Sequence, residues 1–462
     1  MTVCPLPAPT PGARRGRGER SAGSALVSDR RPASVSGAVP AETTPWATTR
    51  AGAPEGTTSD DATEAAAAAG GKRRLVGIDA ARGLALIGMV SIHILPAWDP
   101  ETFAPTAQWT LFAGRSAALF ALLAGVSLAF TSGGRTAHTG RAMTATRAGI
   151  LVRAGLITAL GLAINPLIPG ATAEEEIPAI NILIYYGAFF VLAIPFLGLS
   201  AKALFGWAAV FALAAPVLMH ATREALPAAA ALNPGFADLA ADPGATLAHL
   251  LLTGTYPALP YLAYLLVGLG IGRLNLAGIQ VQVGLLLVGL GVAVVAWLAY
   301  WVLILQAGGY DQLMTHTPAL TEDGIDDIIV FGPDPVLPTT TWWWLAIAGP
   351  HTNTPLALAM GLGSGAAVLG GFLLLTRRFG SWVLPLSAMG TMTLTLYSAH
   401  LLALSAEVHY DQPYLWIFLQ IGVAALFATA WHRTLGQGPL ERVVARGAGL
   451  TRRLVLAGRR TR

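Results

Sequence analysis

Cysteine is almost absent from this sequence. Its one thiol is Cys4, so no disulfide can form within the chain and no cysteine-based metal site exists. Charge is scarce too. Only 12% of the 462 residues are Asp, Glu, Lys or Arg, about half the share of a soluble globular protein. Hydrophobic residues make up 54%, and the mean hydropathy is +0.58. Water is therefore not the solvent around most of the chain. The nine histidines show no metal-ligand spacing such as HExxH, and no metal is expected. A pI near 9.4 raises the question of a nucleic-acid partner. The Lys and Arg answer it: they lie in the tails and in short loops beside apolar runs, as membrane topology demands, so no nucleic acid is expected.

Residues 1–72 are rich in Ala, Pro, Gly, Ser, Thr and Arg, with no periodic apolar pattern. Such a segment buries too little apolar surface to offset chain entropy, and a disordered tail is expected. It lacks the apolar core of a signal peptide, which leaves the first span as the uncleaved targeting signal. From Leu75 onward, apolar runs recur at roughly 75–97, 109–131, 146–168, 178–198, 202–220, 252–272, 279–305, 355–376, 381–404 and 413–432. Each is about long enough to cross a bilayer. The expected fold is an all-α, polytopic transmembrane bundle of about ten spans within 73–432, followed by a basic tail over 433–462.

The loop charges test that order. Lys72, Arg73 and Arg74 precede the first run, and Arg135, Arg141 and Arg147 separate the second and third. Lys202, Arg273 and the pair Arg377–Arg378 fill the next alternate loops. The intervening loops carry Asp99 and Glu101, Glu174–Glu176, Asp238 and Asp242, then Asp311 to Asp334, and last Glu407 and Asp411, with Arg223 the basic exception. Positive loops stay inside, so both termini are expected in the cytoplasm of a multi-pass cell-membrane protein. The long segment 306–354 contains Trp342-Trp343-Trp344, expected as an interfacial helix, with an eleventh span as the alternative. The Arg-rich 433–462 tail reads as a helix on the cytoplasmic membrane surface.

Charged groups inside spans are costly and usually face a cavity or a partner. The first run holds Asp79, Arg82 and His93. Asp79 and Arg82 stand three residues apart and can pair on one helix surface. Arg82 and His93 are eleven apart, about three turns, so they share a stripe about 16 Å long. That stripe offers an anion-binding group near the cytoplasm and a base near the outer surface. The plainer alternative is a structural ion pair and a histidine bridging two helices. At the depth of His93, the topology also places Asn165, Asn181, Tyr185, Tyr256, His351 and His400, together a candidate acceptor layer and singly interfacial or bridging groups. At the inner level, Arg153 and the loop residues Arg135, Arg141 and Arg147 are candidates for phosphate binding; membrane topology and anionic headgroups account for the loop arginines equally well. Arg115, inside the second run, needs a partner or an aqueous cavity.

Arg82, ten residues, then His93, with Asp79 before and Gly83-x-Ala85 after, resembles the first-helix motif of the membrane acyltransferase-3 family. The stretch from Arg74 to Phe130, including Trp109 and Ala124-Gly125-Val126-Ser127, is similar to the catalytic domain of the heparan-alpha-glucosaminide N-acetyltransferase family. Tyr256-Pro257-Ala258-Leu259-Pro260, Pro350-His351-Thr352 and Gly390-Thr391-Met392 through His400 resemble segments of bacterial relatives of that family. The resemblance implies transfer of an acyl group, acetyl first, from cytoplasmic acyl-CoA to a sugar or similar cell-envelope acceptor outside. His93 is then the catalytic residue with Arg82 and Asp79, and Arg82 with Arg135, Arg141, Arg147 and Arg153 would hold the cofactor. The lysosomal members carry a His-x-x-Trp in the first outer loop; here Thr106 stands at that place before Trp109.

Buried Arg, Asp and His groups equally suit a transporter or flippase without acyl chemistry, in which Tyr256 to Pro260 would be a broken helix at a binding site. A catalytically silent scaffold is the third reading. Membrane lipids are the expected surroundings, and the oligomeric state is not encoded in any motif.

Overall fold

The structure, a computed structural model, describes residues 75–168, 178–334 and 336–458. The expected tail over residues 1–72 and Glu174–Glu176 lie outside them. Twelve helices carry the architecture: α1 Val76–Ile94, α2 Arg115–Thr131, α3 Gly140–Ile164, α4 Leu183–Ala193, α5 Ala201–Thr222, α6 Ala258–Gly272, α7 Ile279–Tyr300, α8 Pro355–Phe379, α9 Leu384–Gly390, α10 Thr393–Leu404, α11 Pro413–Thr434 and α12 Pro439–Ala457. No strand occurs among the described residues. Among the described residues, seven helices are long and apolar enough to cross a membrane, and an eighth crossing follows if the Pro243–Thr253 and Ala258–Gly272 pair, bent by 51°, counts as one span. Two shorter apolar helices, Leu183–Gly198 and Thr393–Leu404, fall below that length.

The chain is thus an all-helical, multi-span membrane protein. In lipid every backbone polar group must be satisfied within the segment, which is why apolar runs of this length become helices. Phe418 and Leu426 on α11 are each 75% exposed, and Val288 and Val295 on α7 are 67% and 66% exposed. These faces meet acyl chains. Lipid tails are as apolar as leucine, so helices associate through close packing at small residues. α1 and α9 illustrate this: a Cβ on Gly83 would meet the Leu386 carbonyl, and one on Gly390 would meet the carbonyl of Asp79.

Three runs differ from their expected outlines. The second opens with a separate short helix, Ala107–Phe112, because Gly114 at φ +68° breaks it before α2. The ninth is two helices, α9 and α10, parted at Thr391 and Met392. The third begins at Gly140, so Arg141 and Arg147 belong to the helix rather than to a loop. The tryptophan segment differs in outline as well. It forms a short 3-10 turn, Trp342–Ala346, and contains no candidate span. Trp344 is fully buried, and its indole N–H donates to Thr317 Oγ1 at 3.1 Å. With Ile304, Leu313, Ile325, Leu337 and Ile347 it builds a small core of its own. A buried indole N–H needs such a hydrogen-bond partner.

α1 starts at one end of the bundle, called here the near end, and finishes at the other, the far end. Arg273 pins the near-end loops. It is 7% exposed and donates to Ser132 Oγ at 2.9 Å, to the Leu197 carbonyl at 2.6 Å and to the Gly134 carbonyl. α12, the helix expected on the membrane surface, lies against α3; Arg141 Nε donates to the Val455 carbonyl at 3.1 Å.

Candidate functional site

At the near end, Arg82 Nη1 donates to Asp79 Oδ1 at 2.9 Å, as the three-residue spacing requires, and Nη2 donates to Ser127 Oγ on α2. Asp79 is 5% exposed. Arg82 also lines a cavity of about 480 Å³ with Ser127, Arg153, Tyr186, Tyr397 and Glu441. Arg153 comes from α3. Its guanidinium lies 5.2 Å from the Phe190 ring centroid, and its buried Nε has no hydrogen-bond partner. Two guanidinium groups therefore face one space whose lining holds a single carboxylate, that of Glu441. Arginine forks suit phosphate oxygens well.

Glu441, on α12, closes the cavity from below. Its Oε1 accepts from the backbone N–H of Leu394 at 2.7 Å and of Thr395 at 3.1 Å, and its Oε2 accepts from Thr395 Oγ1 at 2.6 Å. These are the orphan donors of the first turn of α10. A carboxylate there satisfies them and complements the helix dipole, which is how α10 can start afresh only two residues after α9 has ended. Tyr397 follows on the same helix. It is 4% exposed, lines the cavity, and its hydroxyl has no hydrogen-bond partner.

Above Tyr397 the cavity approaches the far-end histidines. The Tyr397 and His400 ring centroids are 6.3 Å apart. His93 Nδ1 and His400 Nε2 are 3.0 Å apart with their rings parallel to within 5°. His400 Nδ1 lies 2.8 Å from Gln420 Oε1 on α11. An amide oxygen only accepts, so His400 carries its proton at Nδ1 and presents a lone pair at Nε2. That lone pair accepts from His93 Nδ1–H, which leaves the His93 lone pair at Nε2. With the Gln420 amide oxygen turned toward His400, the chain Gln420–His400–His93 leaves the His93 lone pair at Nε2, where it can act as a base.

The other expected acceptor residues fall into two groups. Asn181 Nδ2 donates to Asn165 Oδ1 at 2.6 Å, Asn165 Nδ2 donates to the Pro234 carbonyl at 2.7 Å, and Asn181 Oδ1 accepts from the Leu183 N–H at 2.9 Å. Both are buried, 3% and 0% exposed, and their amides are spent on joining the end of α3 to the start of α4. Tyr185, Tyr256 and His351 form the second group. The Tyr185 hydroxyl lies 2.6 Å from His249 Nε2, and Tyr256 packs edge-on against both Tyr185 and His351, each with centroids 5.5 Å apart. The break before α6 is therefore filled by aromatic rings. A Cβ on Gly254 would meet the Tyr185 hydroxyl and the His249 carbonyl.

His351 and Asn353 both adopt left-handed backbone, φ +58° and +55°, a conformation that costs a non-glycine residue about 1–2 kcal/mol. Asn353 Nδ2 secures the turn by donating to the His351 carbonyl at 2.9 Å and the Thr255 carbonyl at 3.1 Å. His351 Nδ1 is buried without a partner, and desolvation pushes the imidazole pKa down to about 4. Arg115 lines a second cavity, of about 400 Å³, with His351, which answers its need for a cavity. Arg135, Arg141 and Arg147 are exposed and absent from the Arg82 cavity lining. They stand on the surface around the start of α3, where a cation needs no ligand.

Four residues of the site were not among its expected members: Ser127, Tyr397, Gln420 and Glu441, although Ser127 and Tyr397 fall within segments that carry the family resemblance. Ser127 closes the small-residue run of α2, and Tyr397 stands three residues before His400. Glu441 is the one acidic residue in the tail over 433–462, an anomaly that could have flagged it. Gln420 had no such signal.

A family model described as heparan-alpha-glucosaminide N-acetyltransferase, catalytic, matches residues 74–304, half of the chain. Asp79, Arg82, His93, Ser127 and Arg153 fall inside the match; His400, Gln420 and Glu441 lie beyond it. No curated protein matches the chain.

Proposed function

The chain belongs to the heparan-alpha-glucosaminide N-acetyltransferase catalytic family, and from that premise we propose that it moves an acyl group, acetyl first, from acyl-CoA to an amine or hydroxyl of a sugar-like acceptor on the opposite side of the cell membrane. The observation that carries the proposal is the alignment of a two-arginine cavity with a histidine base: Arg82 and Arg153 face one space, and Tyr397 at its wall lies beneath the His93–His400 pair.

In this reading the near end is cytoplasmic. Ten crossings result when the bent pair and the two shorter apolar helices each span, and both termini then lie inside, in keeping with the basic loops. Acyl-CoA enters from the near end, where Arg82 and Arg153 bind its phosphates. The acceptor comes from the far end. His93 Nε2 takes the proton from its amine or hydroxyl as the nucleophile attacks the thioester carbonyl. The new C–N or C–O bond forms, the C–S bond breaks, and the departing thiolate receives the proton. Transfer through an acyl-imidazole on His93 reaches the same products in two steps. Asp79 holds Arg82 in place, while His400 and Gln420 fix the His93 tautomer.

The test is acetyl-CoA binding and turnover by the purified full-length protein. Acetyl-CoA should raise the apparent melting temperature of the wild type, since a ligand of the folded state stabilises it. Arg82→Ala should abolish that shift, and His93→Ala should keep it while losing transfer. A wild type that no acyl-CoA stabilises refutes the donor site.

A further inference from the structure

We propose that the cavity around Arg115 is a second, separate binding site that takes the phosphate-bearing headgroup of an anionic lipid. It shares no lining residue with the Arg82 cavity, and the argument is independent of acyl transfer.

The first observation is charge. Arg115 opens α2 within a candidate span, Ala107–Thr131. Its Nη1 donates to the Thr110 carbonyl and its Nη2 lies 3.3 Å from Met360 Sδ, a weak acceptor. No carboxylate among the described residues stands within ion-pair distance of it. A half-buried cation at membrane depth is stable only with a counter-charge or water, and here the neighbouring space of about 400 Å³ must supply it. Ser116, the next residue, faces the other way and packs on Gly88 of α1. The site is thus turned away from the stripe that carries Arg82 and His93.

The second observation is the character of the walls. Tyr264, Tyr300, Trp109 and Trp297 line the cavity with His351 and Arg115. Trp297 is 52% exposed, on the helix Ile279–Gln306, whose residues are mostly uncovered by the rest of the protein and face acyl chains. The cavity therefore borders lipid directly. A ligand that satisfies all of this has an anionic oxygen group for the guanidinium and an apolar chain that runs along the Trp297 face. A phospholipid or isoprenoid phosphate has both parts; aromatic residues at headgroup level suit such an amphiphile.

The probe is dihexanoyl-phosphatidylglycerol, titrated into the full-length protein in an uncharged maltoside detergent and followed by tryptophan fluorescence. Dihexanoyl-phosphatidylcholine and inorganic phosphate serve as comparisons. The phosphatidylglycerol should bind saturably, and at least tenfold more tightly than either comparison. Arg115→Gln should weaken it about tenfold or more, the effect of losing a hydrogen bond to a charged group, and Arg115→Lys should retain part of the binding. Trp297→Ala, on the lipid-facing side where folding is not at stake, should weaken the lipid but leave any phosphate binding unchanged. Equal binding of phosphatidylcholine, or unchanged binding by Arg115→Gln, overturns the anion site. Inorganic phosphate binding as tightly as the lipid overturns the lipid assignment. If Arg115→Gln does not fold, the Trp297→Ala and phosphatidylcholine arms still decide.

Discussion

The hydrogen-bond chain from Gln420 to His93 makes a prediction graded along its length. Replacing Gln420 by Leu removes the acceptor at 2.8 Å from His400 Nδ1 and leaves the imidazole pair intact. A neutral intramolecular hydrogen bond contributes about 1 kcal/mol net, and about 1.4 kcal/mol corresponds to a factor of ten. The preference for the tautomer with a lone pair at His93 Nε2 should therefore fall by about fivefold, and kcat with it. His400→Ala removes the residue that receives His93 Nδ1–H and should cost more, on the order of tenfold to a hundredfold. His93→Ala removes the base itself, whose loss typically costs about 10² to 10⁴. Gln420→Glu is the control. Its carboxylate still accepts from His400 Nδ1, so the tautomer chain survives and transfer should stay well above that of Gln420→Leu. The assay is labelled acetyl transfer from acetyl-CoA to an amino sugar by the purified protein, normalised to folded protein at each step. Two results refute the reasoning: His93→Ala at wild-type rate, or Gln420→Leu as damaged as His93→Ala.

Other consequences are simpler to test. The His351 pKa is about 4 in the fold, below its unfolded value near 6.5, so the unfolded state binds the extra proton between those limits and stability falls as pH drops through that window. The full loss is about 3 kcal/mol, complete below pH 4; a His351→Phe protein should melt with a shallower dependence between pH 6.5 and 4.5 than the wild type, and parallel curves would contradict the assignment. Glu441→Ala leaves the first N–H groups of α10 unsatisfied and should destabilise by about 1–2 kcal/mol, with faster hydrogen exchange at Leu394 and Thr395; protection unchanged at those amides would show that the cap is dispensable. Arg273→Ala strands the Leu197 and Gly134 carbonyls and should lower stability by about 2–4 kcal/mol without altering the KM for acetyl-CoA of whatever folded protein remains.

Much of this was legible from the sequence, and the boundary has a physical cause. Helices alone in lipid are fixed by local composition, so apolar runs and loop charges locate α1, α5, α7, α8 and α11 to within a few residues. The Asp79–Arg82 pair follows from helical spacing, and its 2.9 Å contact agrees. Breaks are different. Nothing in the apolar pattern of 381–404 separates α9 from α10, because the break is stabilised from outside, by Glu441 some 46 residues on. Partners across the bundle are equally hidden: His93 and His400 are 307 residues apart, and a shared depth does not say which side chains meet. Depth grouped His93, Asn181 and Tyr256 in one layer, whereas packing sends the asparagines to a backbone joint and the tyrosine to the aromatic plug before α6. The three tryptophans separate for a related reason. Trp342, Trp343 and Trp344 are identical in composition, and only the hydroxyls of Thr317 and Thr340 make Trp344 a core residue.

The two helices that carry the chemistry are fastened at the same end. α1 is held near Asp79 and Gly83 by the close backbone approach of α9, by the Asp79–Arg82 pair and by Ser127. α10 is held at Thr393–Thr395 by Glu441 and by the Leu440 N–H, which donates to Thr395 Oγ1 at 3.1 Å. Both helices then rise side by side toward the far end, where His93 and His400 meet about three turns above Arg82. Fixing the bases of two rigid rods fixes the gap between their tips, and a base must sit within a few tenths of an ångström of its productive position to act. A change at the near end should therefore be felt at the far end. Gly390→Ala forces α9 away from the Asp79 carbonyl, and overpacking of that kind typically costs about 1–3 kcal/mol. The displacement should separate His93 from His400 and lower kcat in the folded fraction, although no atom of residue 390 lies near either ring. A Gly390→Ala protein with reduced stability and undiminished kcat would show that α10 is positioned by Glu441 alone, and that α9 serves only to hold the bundle together.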